Sequence, residues 1–470
     1  MSAVETFDFA VVGSGPAGQK AAICAAKAGR RVVVIERDAH PGGKCVQNGT
    51  IPSKTLRETA LALRNIERRT GGVIRPQLRD DLTVASLMTR LDSVVRAHQT
   101  YIEEQLRRNG VALWHGRARF AGEHELVVAS PGSASGPRRL RASTIVLATG
   151  SKPRSPENVA IDHEHVLDSD SILSMAYLPQ SLVILGAGVI ASEYASLFAC
   201  LGVKVTMVDA AARPMAFLDP ELTDAFVAEL EAMGSRFLGG KKPLRAHREG
   251  AHCKVVLEGG ETLIADKVLC ALGRIANVTG LGLADVGIRS NARGFVETDA
   301  DFRTSLAHVY AIGDLIGPPS LASSAMEQGR RAARHALGQQ SAASDGTMPF
   351  CAYTIPEIAS VGLSESEAVT RYGSAVVGRA PYSEIARAHV AASGNGLFKL
   401  VAAPDGRKLL GVQIVGEGAS ELVHVGQMAL LGGADVDTFV EATFNFPTLA
   451  EGYRIAALDI AKRRAVRRAA

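Results

Sequence analysis

A chain of 470 residues that is 47% hydrophobic and 21% charged reads as a soluble globular protein, too long for one core and suited to about three domains. A formal net charge of +4 excludes a global field directed at nucleic acid, and no apolar run approaches the ~18 residues of a membrane span. The six cysteines (Cys24, Cys45, Cys200, Cys253, Cys270 and Cys351) are scattered with no C-x-x-C and no zinc spacing, so no metal site is expected and a reducing, cytoplasmic setting fits.

The opening "MSAVETFDFAVVGSG" has no basic region followed by an apolar stretch and a cleavage site, and is expected to run straight into a strand. "FDFAVVGSGPAGQKAAICAAKAGRRVVVIER" reads as strand, tight turn, helix, strand. Its glycines, Gly13, Gly15 and Gly18, have separate tasks: one permits the turn, one lets backbone approach a pyrophosphate, and one lets helix and strand pack closely. The helix start turns free N–H groups toward phosphate. Glu36 ends the second strand, where a carboxylate can accept hydrogen bonds from ribose hydroxyls.

Residues 55–110 are expected to be mostly helical. "STIVLATGSKPRSP" reads as a buried strand ending in Thr149-Gly150, then a proline-rich crossing that marks a boundary. The opening pattern then repeats: "SLVILGAGVIASEYASLFACLGVKVTMVDA" supplies Gly186, Gly188 and Ala191, with Asp209 at the end of its second strand. Gly13 to Glu36 and Gly186 to Asp209 are both 23 residues apart, so two dinucleotide sites are expected. "ALGRIAN" returns the chain, "TSLAHVYAIGDL" ends a strand at Asp314, and "PPSLASSAMEQGRRAARHAL" reads as a helix. "GQQSAASDGT" reads as a linker, after which segments such as "GLFKLVAA" and "LLGVQIVGE" suggest an antiparallel sheet with helices. The basic end "KRRAVRR" reads as a solvated helix end favoured by the helix dipole. The fold class is therefore α/β: two Rossmann-like dinucleotide-binding domains plus an α+β C-terminal domain.

These motifs carry a resemblance. "GSGPAG", "GGKC", "IPSK", "ATGSKP", "GAGVIASE", "AIGD" and "FPTLAE" span nearly the whole chain and resemble the two-dinucleotide flavoproteins that include dihydrolipoamide dehydrogenase and glutathione reductase. "GTIPSKTLRE", "DSDSILSM", "AFLDPEL", "PSLASSAMEQGR", "YTIPEIASVG" and "FNFPTLAEGYRIAALD" resemble most closely the branch that exchanges hydride between nicotinamides. The resemblance implies an FAD-binding domain in residues 1–153 and 278–346, an NAD(P)-binding domain in 154–277 and a dimerisation domain in 347–470. It implies one non-covalent FAD per subunit, NAD(H) and NADP(H) as substrates, and a homodimer or larger homo-oligomer.

Residue by residue, Gly13, Ser14, Gly15, Pro16, Ala17, Gly18 and Glu36 would hold the ADP half of FAD. Arg37, Asp38, Ala39, His40, Pro41, Gly42, Gly43, Lys44 and Cys45 would wrap it, with Thr50, Thr149 and Gly150 nearby. Ala118 would lie by the adenine, Asp314 on the ribityl chain, and the helix beginning near Ala322 would aim its N-terminus at the flavin pyrimidine edge. Lys54 would sit by the flavin, paired with Glu193, and tune its electronics. Gly186, Gly188, Val189, Ile190, Glu193, Asp209, Arg213 and Gly273 would form the nicotinamide dinucleotide site. Asp209 suits a free 2′-hydroxyl, and Arg213 would keep NADP(H) usable.

Disulfide-reducing members of the family need two cysteines and a histidine before Pro-Thr near the chain end. Here Thr50 replaces the second cysteine and Phe446 the histidine, while Glu451, which would orient that histidine, is still present. A threonine hydroxyl forms no disulfide, and phenylalanine moves no proton, a function worth ~10²–10⁴-fold where it is needed. Hydride exchange between flavin and nicotinamide needs neither group. The expected function is therefore ping-pong hydride transfer between NADPH and NAD⁺ through FAD, without a redox-active disulfide. Cys45 is then a packed, inert residue, with a redox-sensing thiol as the other reading. An NAD(P)H-dependent quinone or dye reductase is the alternative function, and a non-enzymatic flavoprotein sensor a more distant one.

Overall fold

The computed structural model describes residues 4–71, 73, 84–130, 136–175, 177–340 and 347–469. Most of the expected linker at 338–347 lies outside the described residues. The chain forms two compact units: residues 1–55, 87–154 and 273–343 make the first, and residues 56–86, 155–272 and 344–470 the second.

The first unit is built on a parallel sheet whose central strands are nearly all apolar. Strands Ala112–His115, Val32–Glu36, Glu5–Val12 and Arg138–Leu147 lie side by side and parallel. Val309–Ala311 extends the parallel set from the far end of Arg138–Leu147, and Glu125–Ala129 and Arg117–Gly122 add an antiparallel edge. The strand "VVVIE" is buried along its whole length, because a parallel sheet is covered on both faces. Ala10, Val12, Val33 and Ile35 point into one core, and Phe9, Val11, Val32 and Val34 into the other. Helices Pro16–Lys27 and Ala322–Ala336 pack in the second of these cores. Their crossing depends on Gly329: a Cβ there would lie 2.2 Å from the Ala17 carbonyl oxygen.

The second unit repeats the nucleotide-binding pattern. Strands Arg236–Leu238, Lys204–Val208, Ser181–Leu185, Lys267–Cys270 and Val166–Asp168 form a parallel sheet in that order. An antiparallel meander follows, Pro243–Glu249, His252–Leu257 and Thr262–Ala265. The remainder of this unit includes the expected antiparallel sheet: Phe350–Ala352, Ile358–Gly362, Leu409–Val415, Leu397–Ala402 and Val376–Pro381. Helices Ala419–Leu431 and Glu451–Ala469 pack against it, the latter carrying the basic end of the chain. The observed fold is α/β in both nucleotide-binding parts with an α+β C-terminal part. The helical expectation for 55–110 corresponds to helices Thr50–Arg69 and Val84–Arg108, with residues 72 and 74–83 outside the described set.

Candidate nucleotide sites

Each glycine-rich loop is held by its own short hydrogen-bond lattice. In the first unit the Gly13 amide donates to the Ile35 carbonyl (2.8 Å) and the Ala148 amide to the Val12 carbonyl (2.8 Å). Gly13 has φ +104°, and a Cβ there would lie 2.4 Å from the Ala148 carbonyl oxygen. Gly18 is closer still, with a Cβ 2.0 Å from the Gly13 carbonyl oxygen. Gly15, by contrast, faces open space, and the helix begins just beyond it at Pro16 with no side-chain cap. The N–H groups of that first turn are available to a ligand.

Glu36 is buried at the end of its strand, and its carboxylate closes the loop. One oxygen accepts from the Ser14 amide (2.9 Å) and the Ser14 hydroxyl, and the other from the Asp38 amide (3.0 Å). Ser14 Oγ in turn accepts from the Gly42 amide at 3.0 Å, which ties the following segment, Arg37 to Gly43, onto the glycine loop. Sequence reasoning did not find the Ser14 link, and the serine inside "GSGPAG" was its one signal.

The second unit reproduces this lattice. The Gly186 amide donates to Val208 (2.8 Å) and the Ala271 amide to Leu185 (2.9 Å). Gly186 has φ +109°, its Cβ position 2.6 Å from the Ala271 carbonyl oxygen, and Gly188 faces open space. Asp209 takes the part of Glu36: its carboxylate accepts from the Ala187 amide (2.9 Å) and the Ala211 amide (2.7 Å). Helix Val189–Cys200 starts at Gly188 without a side-chain cap, as the first does at Gly15. Val189 and Ile190 form its first turn, and Glu193 accepts from the Tyr353 amide at 2.9 Å. The expected phosphate partner, Arg213, has its guanidinium on Asp224 at 3.1 Å. Gly273 has φ +103° and open space around it.

Several other expected residues of the first unit converge. Asp314 lies in the turn after strand Val309–Ala311 and accepts from the Ser151 hydroxyl at 2.6 Å. Arg274 donates to both the hydroxyl (2.8 Å) and the carbonyl (2.9 Å) of Ser151. This Asp-Ser-Arg chain was not found by sequence reasoning, since residues 151 and 274 meet only through the pairing of strands Ser151–Pro153 and Arg274–Ala276. The Gly313 amide donates to the Gln328 side chain (2.7 Å), which fixes the Asp314 turn to helix Ala322–Ala336. That helix also starts without a side-chain cap. Gly150 faces open space, and the buried Thr149 Oγ1 beside it has no hydrogen-bond partner among the described residues. An orphaned buried hydroxyl, two open glycines and two uncapped helix starts fit a polar, phosphate-bearing group such as FAD. Ala118 is buried in its strand.

Cys45 sits half-buried in the short helix Gly43–Gln47. Burial pushes its thiol above the usual value; the hydrogen bond with Thr50 and the Lys54 charge pull it down, and Asp314 pushes it up again. All six cysteines are free thiols. Phe446 is 76% exposed, and Glu451 Oε2 accepts from the Thr448 amide at 3.3 Å. Lys54 and Glu193 belong to different units. No helix of the described residues is long and apolar enough to cross a membrane, and no cluster of metal-ligating side chains occurs among them.

Residues 7–329 match the family model described as pyridine nucleotide-disulphide oxidoreductase, and residues 348–457 match the dimerisation domain of that family. A protein of Mycobacterium tuberculosis named soluble pyridine nucleotide transhydrogenase is 40% identical over 97% of each chain. A protein of the same name from Pseudomonas paraeruginosa is 38% identical over 97% of this chain and 98% of its own. Among solved structures, LpdA of Mycobacterium tuberculosis is similar at 27% identity, with a TM-score of 0.88 and coverage of 97% of this chain and 99% of that one. The HOCl-induced flavoprotein disulfide reductase RclA of Escherichia coli, as its Cu(II) complex, is similar at 25% identity and a TM-score of 0.87 over the same shares.

Proposed function

The chain belongs to the pyridine nucleotide-disulphide oxidoreductase family, and from that premise we propose an FAD-dependent NAD(P)⁺ transhydrogenase that exchanges hydride between NADPH and NAD⁺ by a ping-pong route. The observation that carries this reading is the pairing of two nucleotide loops of one design with a Cys45 whose neighbour is Thr50, not a second thiol. Residues 1–153 and 278–346 hold FAD, 154–277 take NAD(H) and NADP(H) in turn, and 347–470 form the dimer. Bound FAD supplies a reversible two-electron store.

The chain's own residues bind and orient. The uncapped N–H groups after Gly15 and Gly188 receive pyrophosphate, while Glu36 and Asp209 are fixed by backbone donors at the places where ribose hydroxyls arrive. Thr149 Oγ1 and Asp314 offer polar contacts deeper in the FAD site, and Ala322 begins a helix whose positive end favours a reduced, anionic ring. Lys54 tunes that ring's electronics and transfers no proton.

An anaerobic titration tests the reading: NADPH is expected to bleach the flavin, and NAD⁺ added afterwards to restore its colour with release of NADH. Colour that returns with a quinone but not with NAD⁺ would assign a reductase. Cys45→Ser is expected to keep NADPH-to-NAD⁺ transfer, because no sulfur carries electrons; loss of turnover with flavin still bound would restore a role for that thiol.

The dimer reading has its own test. Helix Ala419–Leu431 exposes Val425, Met428 and Leu431, three apolar residues at helical spacing in the region matched by the dimerisation model. Met428→Asp combined with Leu431→Asp is expected to turn a dimer into a monomer in light-scattering measurements. An unchanged mass would move the interface elsewhere.

A further inference from the structure

If the second glycine loop serves both nicotinamides, it must accept a free 2′-hydroxyl and also a 2′-phosphate that adds about two negative charges. Asp209 alone argues against the phosphate. Arg213 is the compensating cation that the sequence suggests, and it makes an exposed, exchangeable pair with Asp224 at 3.1 Å. Two lysines lie 32 and 33 residues beyond Asp209 along the chain, Lys241 and Lys242, the first with its backbone bonded to Asp209.

Strand Arg236–Leu238 pairs with Lys204–Val208, and the lacing continues past the ends of both. The Asp209 amide donates to the Leu238 carbonyl (3.2 Å), the Gly240 amide to Ala211 (3.1 Å), and the Lys241 amide to the carbonyl of Asp209 itself (2.9 Å). Gly239 makes this approach possible, since a Cβ there would lie 2.6 Å from the Ala212 carbonyl oxygen and 2.8 Å from the Phe237 ring. The residues that follow Asp209 are Ala210, Ala211 and Ala212, none of which carries a charge of its own. Lys241 and Lys242 are both exposed.

We propose that Lys241 and Lys242 determine the use of NADP(H), by supplying the positive charge that receives its 2′-phosphate next to Asp209. This rests on the reading of the second loop as the nicotinamide dinucleotide site. Lys241 Nζ lies 3.3 Å from Glu261, but both side chains are nearly half exposed, and an exposed pair of this kind exchanges readily for a doubly charged phosphate. A lysine on its flexible stem serves as a point charge for phosphate without the fixed fork of an arginine. Such a device suits a site that must also release the phosphate-free nucleotide, because the ammonium groups return to water or to Glu261 when no phosphate is present.

The test is calorimetric and uses the flavin-loaded enzyme with two fragments, adenosine 2′,5′-bisphosphate and 5′-AMP. Lys241→Ala combined with Lys242→Ala is expected to weaken the bisphosphate about 10–100-fold, the loss of one or two charge-assisted hydrogen bonds, and to change 5′-AMP by less than about twofold. Lys241→Arg combined with Lys242→Arg should retain bisphosphate binding, and Arg213→Ala should leave it nearly intact. A double alanine variant that binds the bisphosphate like wild type, or that loses both fragments equally, overturns the proposal, as does a selective loss in Arg213→Ala alone. Wild-type enzyme that binds neither fragment overturns the nucleotide-site reading itself, and the proposal with it.

Discussion

Gly18→Ala is expected to give a protein that purifies without colour, with FAD affinity lowered by about 100-fold or more, equivalent to about 3 kcal/mol. The new Cβ would stand 2.0 Å from the Gly13 carbonyl oxygen, 3.1 Å from its carbon and 3.2 Å from Val11 Cγ1. Two of those atoms are backbone of the strand and turn that the helix packs on, so no rotamer change relieves the contact. Helix Pro16–Lys27 must move away from the sheet, and its first N–H groups move with it. Gly15→Ala separates ligand loss from fold loss. Gly15 has φ −63° and nothing within 4 Å of its Cβ position, so alanine there strains nothing in the chain and only fills the place that backbone leaves for a pyrophosphate. The flavin-free Gly15→Ala protein should therefore unfold at the same temperature as flavin-free wild type while binding FAD weakly. Absorbance ratios of flavin to protein and thermal unfolding followed by circular dichroism read both effects. A yellow, fully loaded Gly18→Ala protein would remove the glycine loop from the cofactor site.

The two loops were legible because their geometry is local. Glycine spacing, strand periodicity and the terminal acid all fall within 23 residues, and the hydrogen bonds that close each loop join residues the motif already contains. What was not legible depends on pairing between distant strands. Ser151 meets Arg274 and Asp314 only after two crossing segments align, and Lys241 reaches Asp209 only through an edge strand three residues long. Arg213 shows the converse limit: four residues from Asp209, its guanidinium meets Asp224 on the helix that follows, a contact the glycine motif does not contain. Thr50 and Phe446 stand out as single letters because the surrounding motifs fix which positions to read.

The least legible element is a lysine in "GLFKLVAA", a segment that reads as an ordinary apolar strand. Lys399 is 2% exposed, and its Nζ reaches Asp219 (2.7 Å), Glu221 (2.5 Å) and Glu365 (2.7 Å). Arg379 adds a two-pronged contact to Glu221 at 2.6 and 2.7 Å. Asp219, itself buried, also caps helix Pro220–Ala232 by accepting from the Glu221 amide at 3.0 Å. The cluster thus ties the end of the Asp209 loop's connecting segment to the antiparallel sheet. Lys399→Met is expected to lower stability by about 3–5 kcal/mol, because it strands a buried carboxylate without its cation. Lys399→Met combined with Asp219→Asn should recover much of that loss, since asparagine still caps the helix and carries no charge. The pH dependence has a defined sign. Glu221 is held down to about 2 from its ordinary 4.5, first by the Arg379 hydrogen bond and then, against the opposing effect of burial, by Lys399. Its contribution is complete above pH 4.5 and is lost as pH falls toward 2. Arg379→Ala should therefore flatten the acid limb of the stability curve more than Lys399→Met does. Burial alone would lower Lys399, but its hydrogen bonds to the three carboxylates outweigh that and raise it above its ordinary value, so its own contribution is present at neutral pH and disappears only in strong alkali. Urea unfolding of the single and double variants across the acid range measures all of this. A Lys399→Met protein as stable as wild type would mean that the three carboxylates had never depended on the buried ammonium.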